Sequence, residues 1–222
     1  MVQYDGSKFL GWQIQKEGRT IQGLLENNFK KISNSKDYVK VYGAGRTDAG
    51  VHAWAQVAHV DLKTKLNEQD IQNALNANLP LDCRIINIEK IEKDFHARYD
   101  AKSRFYRYQC YTGDSILYRN QSWILPSLDI DYLNIFAKQL IGDHDFLSFS
   151  KYNKDQKNTD CSIFESKWVS DKKMLTYKIG ANRFLHHMIR YLVGTMVALY
   201  QKRFSEKEFL SLLKEPRKQV KI

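Results

Sequence analysis

Apolar side chains recur at helical spacing in two segments of the first hundred residues. Residues 20–32, and a segment that begins after Asn67, carry apolar residues three and four positions apart, which predicts amphipathic helices. Thr20 and Asn67 are suitable N-caps, and the second helix should end before Asn78-Leu79-Pro80. The inward residues are Ile21, Leu24, Leu25, Phe29 and Ile32 in the first helix and Ile71, Ala74 and Leu75 in the second.

Short runs of β-favouring residues surround these two helices. They lie at Val2–Tyr4 and at residues 38–42, 54–62 and 84–91. A glycine-rich loop separates the runs 38–42 and 54–62. The predicted order of elements in the first half is therefore β-α-β-β-α-β.

The second half shows the same succession of patterns. Strands are predicted at residues 103–111, 162–169 and 173–179, and a helix at 129–141 turns inward the residues Leu133, Phe136, Ala137 and Leu140. A final helix is predicted over 184–201, with an apolar stripe formed by Leu185, Met188, Ile189, Leu192, Met196 and Leu199. On that helix three polar residues would share one face at spacings i, i+4 and i+7, namely Arg183, His187 and Arg190.

Two successive β-α-β-β-α-β units predict an α+β fold made of two ferredoxin-like halves, residues 1–100 and 101–222. Their mixed, mainly antiparallel sheets are expected to join side by side, with the active-site cleft between the halves. Only the sixth element of the second half, its last strand, is not evident. Residues 151–160 are polar and charged, which favours a solvated loop, although a basic loop can also touch RNA.

Composition changes the picture in the direction of a polyanionic partner. The chain has 222 residues, 43% hydrophobic residues and only three prolines, which is typical of a globular protein without a linker. Its formal net charge is +10, and lysine and arginine gain affinity by releasing counterions from phosphates. A basic surface can also serve solubility alone. Thirteen tyrosines, eleven phenylalanines and four tryptophans favour nucleic acid, because aromatic rings stack on unpaired bases.

The three cysteines do not suggest a disulfide framework or a zinc site. Cys83, Cys110 and Cys161 are odd in number and lack C-x-x-C spacing, so free thiols are expected. The sequence contains no signal peptide pattern and no apolar run of membrane-spanning length, which predicts no membrane association and leaves the cytoplasm as the default location.

The glycine-rich loop carries one carboxylate, Asp48, among Gly43, Gly45 and Gly50. Glycines permit close backbone approach, so such a loop can present a single side chain. Arg46 can pair with Asp48 and keep it ionised and oriented, as a nucleophilic carboxylate requires. The same spacing suits a turn in which Asp48 caps backbone amides. Spacing alone leaves both interpretations open.

Two other chemistries fit this loop poorly. A phosphate-binding loop would have the pattern Gly-x-x-x-x-Gly-Lys-Ser/Thr and would open a helix, whereas this loop leads into a strand and lacks that lysine. A metal site at His52 and His59 would need a third ligand, such as Asp48 or Asp61. Residues seven apart on a strand point to opposite faces, so no metal is expected.

Residues 45–53, GRTDAGVHA, resemble the active-site motif of the bacterial tRNA pseudouridine synthase A family, which modifies positions 38 to 40 of the anticodon arm. Further motifs similar to this family follow in the family's order and cover nearly the whole chain. They are residues 4–6 (YDG), 11–13 (GWQ), 19–22 (RTIQ), 76–80 (NANLP), 95–98 (FHAR), 106–108 (YRY), 142–146 (GDHDF), 181–184 (ANRF) and 188–190 (MIR).

The resemblance implies that Asp48 is the nucleophile of an isomerase that converts uridine to pseudouridine in tRNA, without metal or cofactor. It also implies that Tyr106 packs on the extruded base and that Arg190 is an active-site arginine. Arg46 and Arg98 are expected, with Lys102, to bind phosphate or help to extrude the base, and ordinary surface ion pairs are the alternative. His186 and His187 are expected to contact phosphate or to cap polar groups. By the same resemblance the protein is a homodimer.

Two rival functions remain open on the sequence. The first is a non-catalytic RNA-binding protein of ferredoxin-like fold, and the second is a hydrolase that attacks a nucleoside with a carboxylate and releases free uracil. The chain also differs from the family pattern at its two ends, where strand segments of the family are expected to be missing. Residues 160–162 (DCS) lack an arginine that the family often has there, so no RNA contact is implied for this loop.

Overall fold

The chain divides into two units, Met1–Ala101 and Lys102–Ile222, in a computed structural model that describes residues 1–33, 38–154, 157–218 and 220. The elements of the first unit are β1 (Val2–Tyr4), α1 (Ile21–Ser33), β2 (Val41–Gly43), β3 (Ala53–Gln56), β4 (Ala58–Val60), α2 (Glu68–Asn78) and β5 (Cys83–Ile85). They form a three-stranded sheet of order β3-β1-β5 and a two-stranded sheet of β2 and β4, with all neighbours antiparallel.

Both helices predicted in the first unit are confirmed, together with their caps. The Thr20 hydroxyl accepts a hydrogen bond from the Gly23 amide at 3.3 Å, and the Asn67 side chain accepts one from the Asp70 amide at 2.8 Å. Leu25 and Leu75 are fully buried, and burial of each side chain contributes about 1.5–3 kcal/mol. The apolar faces of α1 and α2 therefore build the core over β1 and β5.

Three predicted strands of the first unit have different bounds, and the run 38–42 forms a strand only at Val41–Gly43. The run 54–62 forms two short strands, because Val57 leaves the pairing and its carbonyl accepts a hydrogen bond from the Ala44 amide at 2.8 Å. The run 84–91 is a strand only as far as Ile85, which pairs with Val2, and after it the Ile86 amide donates to the Met1 carbonyl at 3.0 Å. The lengths of these strands depend on their partners rather than on their own residues.

Within its described residues the second unit has five strands and three α-helices, apart from two short 3-10 helices. They are β6 (Arg104–Tyr111), β7 (Trp123–Ile124), α3 (Ile130–Gln139), β8 (Gly142–Asp145), β9 (Asp160–Asp171), β10 (Met174–Ala181), α4 (Met188–Tyr200) and α5 (Glu206–Lys214). They include a five-stranded sheet of order β7-β6-β10-β9-β8, antiparallel except between β6 and β7.

The α+β class is confirmed, and so are α3 and the three strands predicted in this unit. Asp129 caps α3, and its four predicted inward residues are all buried. The strands β7 and β8 were not predicted, because they are short and lack alternation. The prediction that the chain closes on one final helix is wrong, since α5 follows α4 and begins at a capping box formed by Ser205 and Glu208.

The helix predicted over 184–201 begins only at Met188. His187 adopts a left-handed conformation with φ of 60°, and the Lys151 amide donates to the carbonyl of His186, so the preceding residues form a turn. Leu185 is nevertheless buried, which explains why the apolar spacing extends beyond the helix. Arg183 and His187 therefore do not share a helical face with Arg190, and that prediction is wrong.

The core of the second unit lies on one side of its sheet, where α3 and α4 pack. The Ser166 hydroxyl donates to the Ala137 carbonyl of α3 at 2.7 Å and lies 2.8 Å from the buried hydroxyl of Tyr177. Residues 151–154 and 157–159 form no helix or strand, and 155 and 156 lie outside the described residues. None of the helices in the described part of the chain has the length and apolar character needed to cross a bilayer.

Candidate active site

Asp48 lies in the loop that connects β2 to β3, which we call the Asp48 loop (residues 45–52). The Val51 amide donates to the Asp48 carbonyl at 3.2 Å, and Gly50 has φ of 77°, so the chain reverses directly after Asp48. The Asp48 side chain is half-buried. The loop thus presents a single carboxylate at a tight turn.

A second segment, residues 4–12, packs along this loop, and we call it the buttress. The Tyr4 hydroxyl lies 2.9 Å from the Thr47 hydroxyl, and the Trp12 amide donates to the Thr47 carbonyl at 3.0 Å. On the other side of Asp48, the Gly50 amide donates to the Phe9 carbonyl at 3.3 Å. The residues on both sides of Asp48 are therefore tied to the buttress, which limits the directions in which the carboxylate can point.

At Gly6 and Gly11 the backbone of the buttress lies in van der Waals contact with the backbone of the Asp48 loop. A Cβ atom placed on Gly11, which has φ of 95°, would lie 2.5 Å from the Thr47 carbonyl oxygen. A Cβ atom on Gly6 would lie 2.0 Å from the Val51 carbonyl oxygen. Only glycine permits this approach at both positions.

The Arg19 side chain contacts the buttress at Phe9. Its guanidinium forms two hydrogen bonds with the Asp82 carboxylate at 2.6 and 2.7 Å and lies 4.0 Å from the centre of the Phe9 ring. These hydrogen bonds lower the pKa of Asp82 below its ordinary value. The bidentate geometry fixes Arg19 better than a single contact would, so Phe9 is held between the ion pair and the core.

His52 anchors the end of the Asp48 loop. Its Nδ1 lies 3.2 Å from the Gly6 amide nitrogen and 3.0 Å from an Asp5 carboxylate oxygen, so it accepts from the amide when it carries no proton and donates to the carboxylate when it does. The pKa of Asp5 is lowered, first by its hydrogen bonds from Ser7 and to a lesser extent by His52. The ring nitrogen is thus engaged by the backbone of the buttress, which gives His52 a positioning contact.

Arg46 does not orient Asp48 as the sequence suggested. Its side chain is exposed, and within the described residues it forms no ion pair with Asp48. The loop before Asp48 is held instead by Gln56, whose amide nitrogen donates to the Gly45 carbonyl at 2.6 Å. This contact and those with the buttress fix the backbone on both sides of Asp48.

Sequence reasoning assigned no role to Tyr4, Phe9 and Trp12, although two of them lie in motifs that resemble the family. All three are almost completely buried, and each contributes a contact to the Asp48 loop. The glycine at position 11 beside Trp12 was the one available signal, because a glycine between apolar residues often marks a close backbone approach.

For the activity that the sequence resemblance implies, replacement of Tyr4 by phenylalanine should lower kcat without changing KM. The change removes the hydroxyl next to Thr47 and should lower the free energy of unfolding by about 1 kcal/mol. Steady-state kinetics and urea denaturation measure the two effects. The matched control is Tyr118→Phe, a tyrosine of the second unit. An unchanged kcat for Tyr4→Phe would show that the hydroxyl does not position the loop.

A stack of aromatic and histidine rings lies on β2, β4 and the segment 95–100. The ring of His59 is parallel to that of Tyr42 at 4.8 Å, and the ring of His96 lies 4.6 Å from His59 and 4.2 Å from Tyr99. The Ala97 amide donates to Nδ1 of His59 at 3.0 Å. This stack carries the segment that contains Arg98, whose exposed guanidinium lies 6.0 Å from the Tyr99 ring centre.

The stack should make the stability of the first unit sensitive to acid. Burial, and then the proximity of His96, lower the pKa of His59 below its ordinary value of 6.5. In the unfolded chain His59 takes up a proton near pH 6.5, whereas in the folded chain it does so only at lower pH. The free energy of unfolding therefore falls as the pH drops below about 6.5. Urea denaturation at pH 7.5 and 5.5 measures this loss.

His59→Asn is the matched control for the acid effect, because its side-chain oxygen can replace Nδ1 as the acceptor but does not titrate. The native protein should lose more stability between the two pH values than this variant. Equal losses would assign the acid sensitivity to other groups.

The predicted site residues of the second unit lie on β6 and α4. Tyr106 is half-buried and faces the core side of the sheet, where its ring meets that of Phe184 edge to face at 5.1 Å. Arg190 is the third residue of α4 and is exposed. It is close enough to Tyr108 to oppose the rise in pKa that burial causes in that phenol.

Comparison with known proteins gives one consistent result. The sequence profile of the family described as tRNA pseudouridine synthase matches residues 1–100 and 136–222. Tyr106 and the rest of 101–135 lie outside this match. Asp48, Arg46, Arg98 and Arg190 lie inside it.

Individual relatives are similar over most of their length. The chain is 40% identical over 214 residues to tRNA pseudouridine synthase A of Pelodictyon phaeoclathratiforme, which covers 96% of this chain and 87% of that protein. It is 39% identical over 219 residues to tRNA pseudouridine synthase A of Ehrlichia chaffeensis, covering 96% and 88%. The protein of the same name from Exiguobacterium sibiricum is 35% identical over 213 residues, covering 96% and 85%.

Proposed function

The chain belongs to the tRNA pseudouridine synthase family and is an isomerase, and from this premise we propose that it converts uridines 38, 39 and 40 of the tRNA anticodon arm to pseudouridine with Asp48 as nucleophile. The observation that carries the proposal is the geometry of the Asp48 loop. The residues before and after Asp48 are tied to the buttress by hydrogen bonds, so one carboxylate is presented in a defined direction.

The proposed chemistry needs only a carboxylate. Asp48 adds to the bound uridine, either at the ribose or at the base, and the bond between C1′ and N1 breaks. The uracil turns, a bond forms between C1′ and C5, the C5 proton passes to water, N1 takes up a proton, and Asp48 is released. Uracil leaves as a delocalised anion, so no second carboxyl group is needed as an acid. The product is an isomer, and no cofactor or metal enters the balance.

A paired or stacked uridine must be extruded before a loop carboxylate can reach it. We assign Tyr106 to packing on the extruded base, and its fixed edge-to-face contact with Phe184 supports a rigid aromatic surface there. We assign Arg190, Arg46 and Arg98 to contacts with the substrate. All three guanidinium groups are exposed, which supports a role in binding an anionic RNA.

We propose that each unit is a ferredoxin-like half. In the first unit only Val57 separates β3, which pairs with β1, from β4, which pairs with β2. If β3 and β4 are counted as one bent strand, that strand lies between β1 and β2. Helix α1 connects β1 to β2, and β1 lies between the bent strand and β5. In the second unit β10 lies between β6 and β9, which α3 connects. These split β-α-β arrangements support the assignment.

Family membership and the net charge of +10 support tRNA as the partner. From family membership alone we also propose that the protein works as a cytoplasmic homodimer.

The proposal is tested on unmodified tRNA transcripts that carry uridine at positions 38, 39 and 40. After incubation with the full chain, pseudouridines are mapped by carbodiimide modification and primer extension, and free uracil is measured by chromatography. Pseudouridine confined to these three positions, with no released uracil, is expected. Binding without product would favour the non-catalytic RNA-binding protein, free uracil would identify a hydrolase, and product at other positions would overturn the assignment to the anticodon arm.

A further inference from the structure

In the part of the chain that the structure describes, no helix packs on the second side of the five-stranded sheet. The residues of β6, β9 and β10 alternate, except at an irregularity of β9 at Phe164, so that Cys110, Trp168 and Tyr177 face the core while their sequence neighbours face the other way. We call this second side the open face. Its residues are Phe105, Arg107, Gln109, Phe164, Glu165, Lys167, Val169, Thr176, Lys178 and Gly180.

Three cations stand in one row across the open face. Lys178 on β10 lies directly opposite Arg107 on β6 and directly opposite Lys167 on β9. Like charges at opposed positions destabilise a sheet. Lys167 is paired with Glu165 at 3.0 Å, whereas Arg107 and Lys178 form no ion pair with any residue that the structure describes. A bound polyanion would remove this repulsion.

Two exposed phenylalanines lie beside the cationic row. Phe105 is 63% exposed and Phe164 is 50% exposed, and their rings meet edge to face with centroids 5.4 Å apart. Both rings lie over Gly180, since a Cβ atom there would be 2.5 Å from the Phe164 ring and 2.8 Å from the Phe105 ring. The glycine makes room for an aromatic surface that is open to solvent.

We propose that the open face is a second RNA-binding surface of this protein, in addition to the site of reaction. Phe105 and Phe164 stack on unpaired bases, and the row of Arg107, Lys178 and Lys167 contacts the adjoining phosphates. Aromatic residues with neighbouring cations on an open antiparallel sheet are the combination that holds single-stranded RNA. Successive residues on one side of a strand are about 7 Å apart, so one short stretch of RNA reaches both rows.

The open face is distinct from the residues assigned to the reaction. Tyr106 alternates with Phe105 and Arg107 on β6 and faces the core side of the sheet. The proposal rests on the proposed function in one respect, because it takes the RNA to be the tRNA substrate. It concerns binding of that substrate at a place where no chemistry occurs.

Charge favours RNA over a second copy of this chain as the occupant. A two-fold contact through the open face would bring its cationic row close to the same row of the partner. Arg107 and Lys178 would then lose water without gaining an opposite charge, which is unfavourable. An RNA backbone supplies the missing negative charges.

The test compares two triple variants of the full chain that change the net charge equally. One is Arg107→Gln/Lys167→Gln/Lys178→Gln on the open face. The control is Lys138→Gln/Lys207→Gln/Lys214→Gln on α3 and α5, on the helical side. Affinity for unmodified tRNA is measured by fluorescence anisotropy between about 50 and 200 mM salt. The open-face variant should bind at least about ten-fold more weakly at low salt, with a salt slope reduced by about 2.

The aromatic row is tested with Phe105→Leu/Phe164→Leu, which keeps an apolar surface but removes the rings. About ten-fold weaker binding with an unchanged salt slope is expected, because stacking does not release counterions. Thermal unfolding identifies any loss of folding, and the cation variant, which relieves repulsion, should be at least as stable as the native protein.

Equal affinity and salt slope in the open-face and control variants would overturn the proposal. A changed oligomeric state by sedimentation velocity, with unchanged tRNA affinity, would also overturn it and assign the face to contact between copies. Binding is measured without turnover, so the outcome is separate from the proposed function. If the native protein formed no pseudouridine but the open-face variant still lost affinity, the proposed function would fail and this inference would stand.

Discussion

Asp48→Asn should abolish pseudouridine formation while leaving tRNA affinity and folding intact. Asparagine has nearly the same shape as aspartate but is not a nucleophile, so the rate of isomerisation should fall by at least about 10⁴-fold. The hydrogen bonds described above between the Asp48 loop and the buttress use the backbone of Thr47 and Gly50, the Thr47 hydroxyl and the His52 ring, and none of these uses the Asp48 carboxylate. Single-turnover mapping of pseudouridine with enzyme in excess separates the chemical step from product release.

The matched control for this variant is Asp94→Asn, which neutralises an exposed carboxylate of the same unit. It should retain native turnover and native affinity. Retained product with Asp48→Asn would exclude Asp48 as the nucleophile. Loss of both product and tRNA affinity would instead place Asp48 in substrate binding.

Gly11→Ala should cause the second largest loss, although residue 11 has no chemical group to contribute. Its new Cβ atom would lie 2.5 Å from the Thr47 carbonyl oxygen, so the buttress and the Asp48 loop must separate. The φ of 95° adds strain of about 1–2 kcal/mol for a residue with a side chain. We expect the free energy of unfolding to fall by about 2–4 kcal/mol and kcat by about 100-fold, since a displacement near 1 Å can have that effect.

Gly50→Ala distinguishes backbone strain from steric clash as the cause of the losses expected for Gly11→Ala. Gly50 also has a positive φ, 77°, but a Cβ atom there meets no other atom within 4 Å. The variant should lose about 1 kcal/mol of stability from strain and little activity. Urea denaturation and single-turnover kinetics on both variants make the comparison. Equal loss of activity in the two would show that backbone strain, not the contact with Thr47, explains the effect.

The helices show what periodic spacing can predict. α1, α2 and α3 were predicted because each carries an apolar stripe and a capping residue within its own segment. The start of α4 was predicted four residues too early, because Leu185 is buried by the core in a turn and adds a false member to the stripe. A buried apolar residue is often helical, but Leu185 is buried in the turn that precedes α4.

At the Asp48 loop, too, the sequence predicted some features and not others. The motif around Asp48 and its resemblance to a family identified the carboxylate and the reaction class. The support for that carboxylate was not predicted, since Arg46 was expected to orient Asp48 and is exposed instead. The contacts of Tyr4 and Trp12 with Thr47 join residues that are more than thirty positions apart, and no local pattern reports such a distance.

The sequence by itself determined the α+β class, the helices that carry their own apolar stripes, the family and the candidate nucleophile. These follow from local spacing and from motifs, in which the information lies within a few residues of the feature. Only the tertiary structure decided where β4 and β5 end, how the buttress holds the Asp48 loop, and that Arg107, Lys178 and Lys167 stand in one row on the open face. Strand partners, close backbone approaches and cross-strand charges are set by residues distant in the chain, and each becomes definite only when those residues meet.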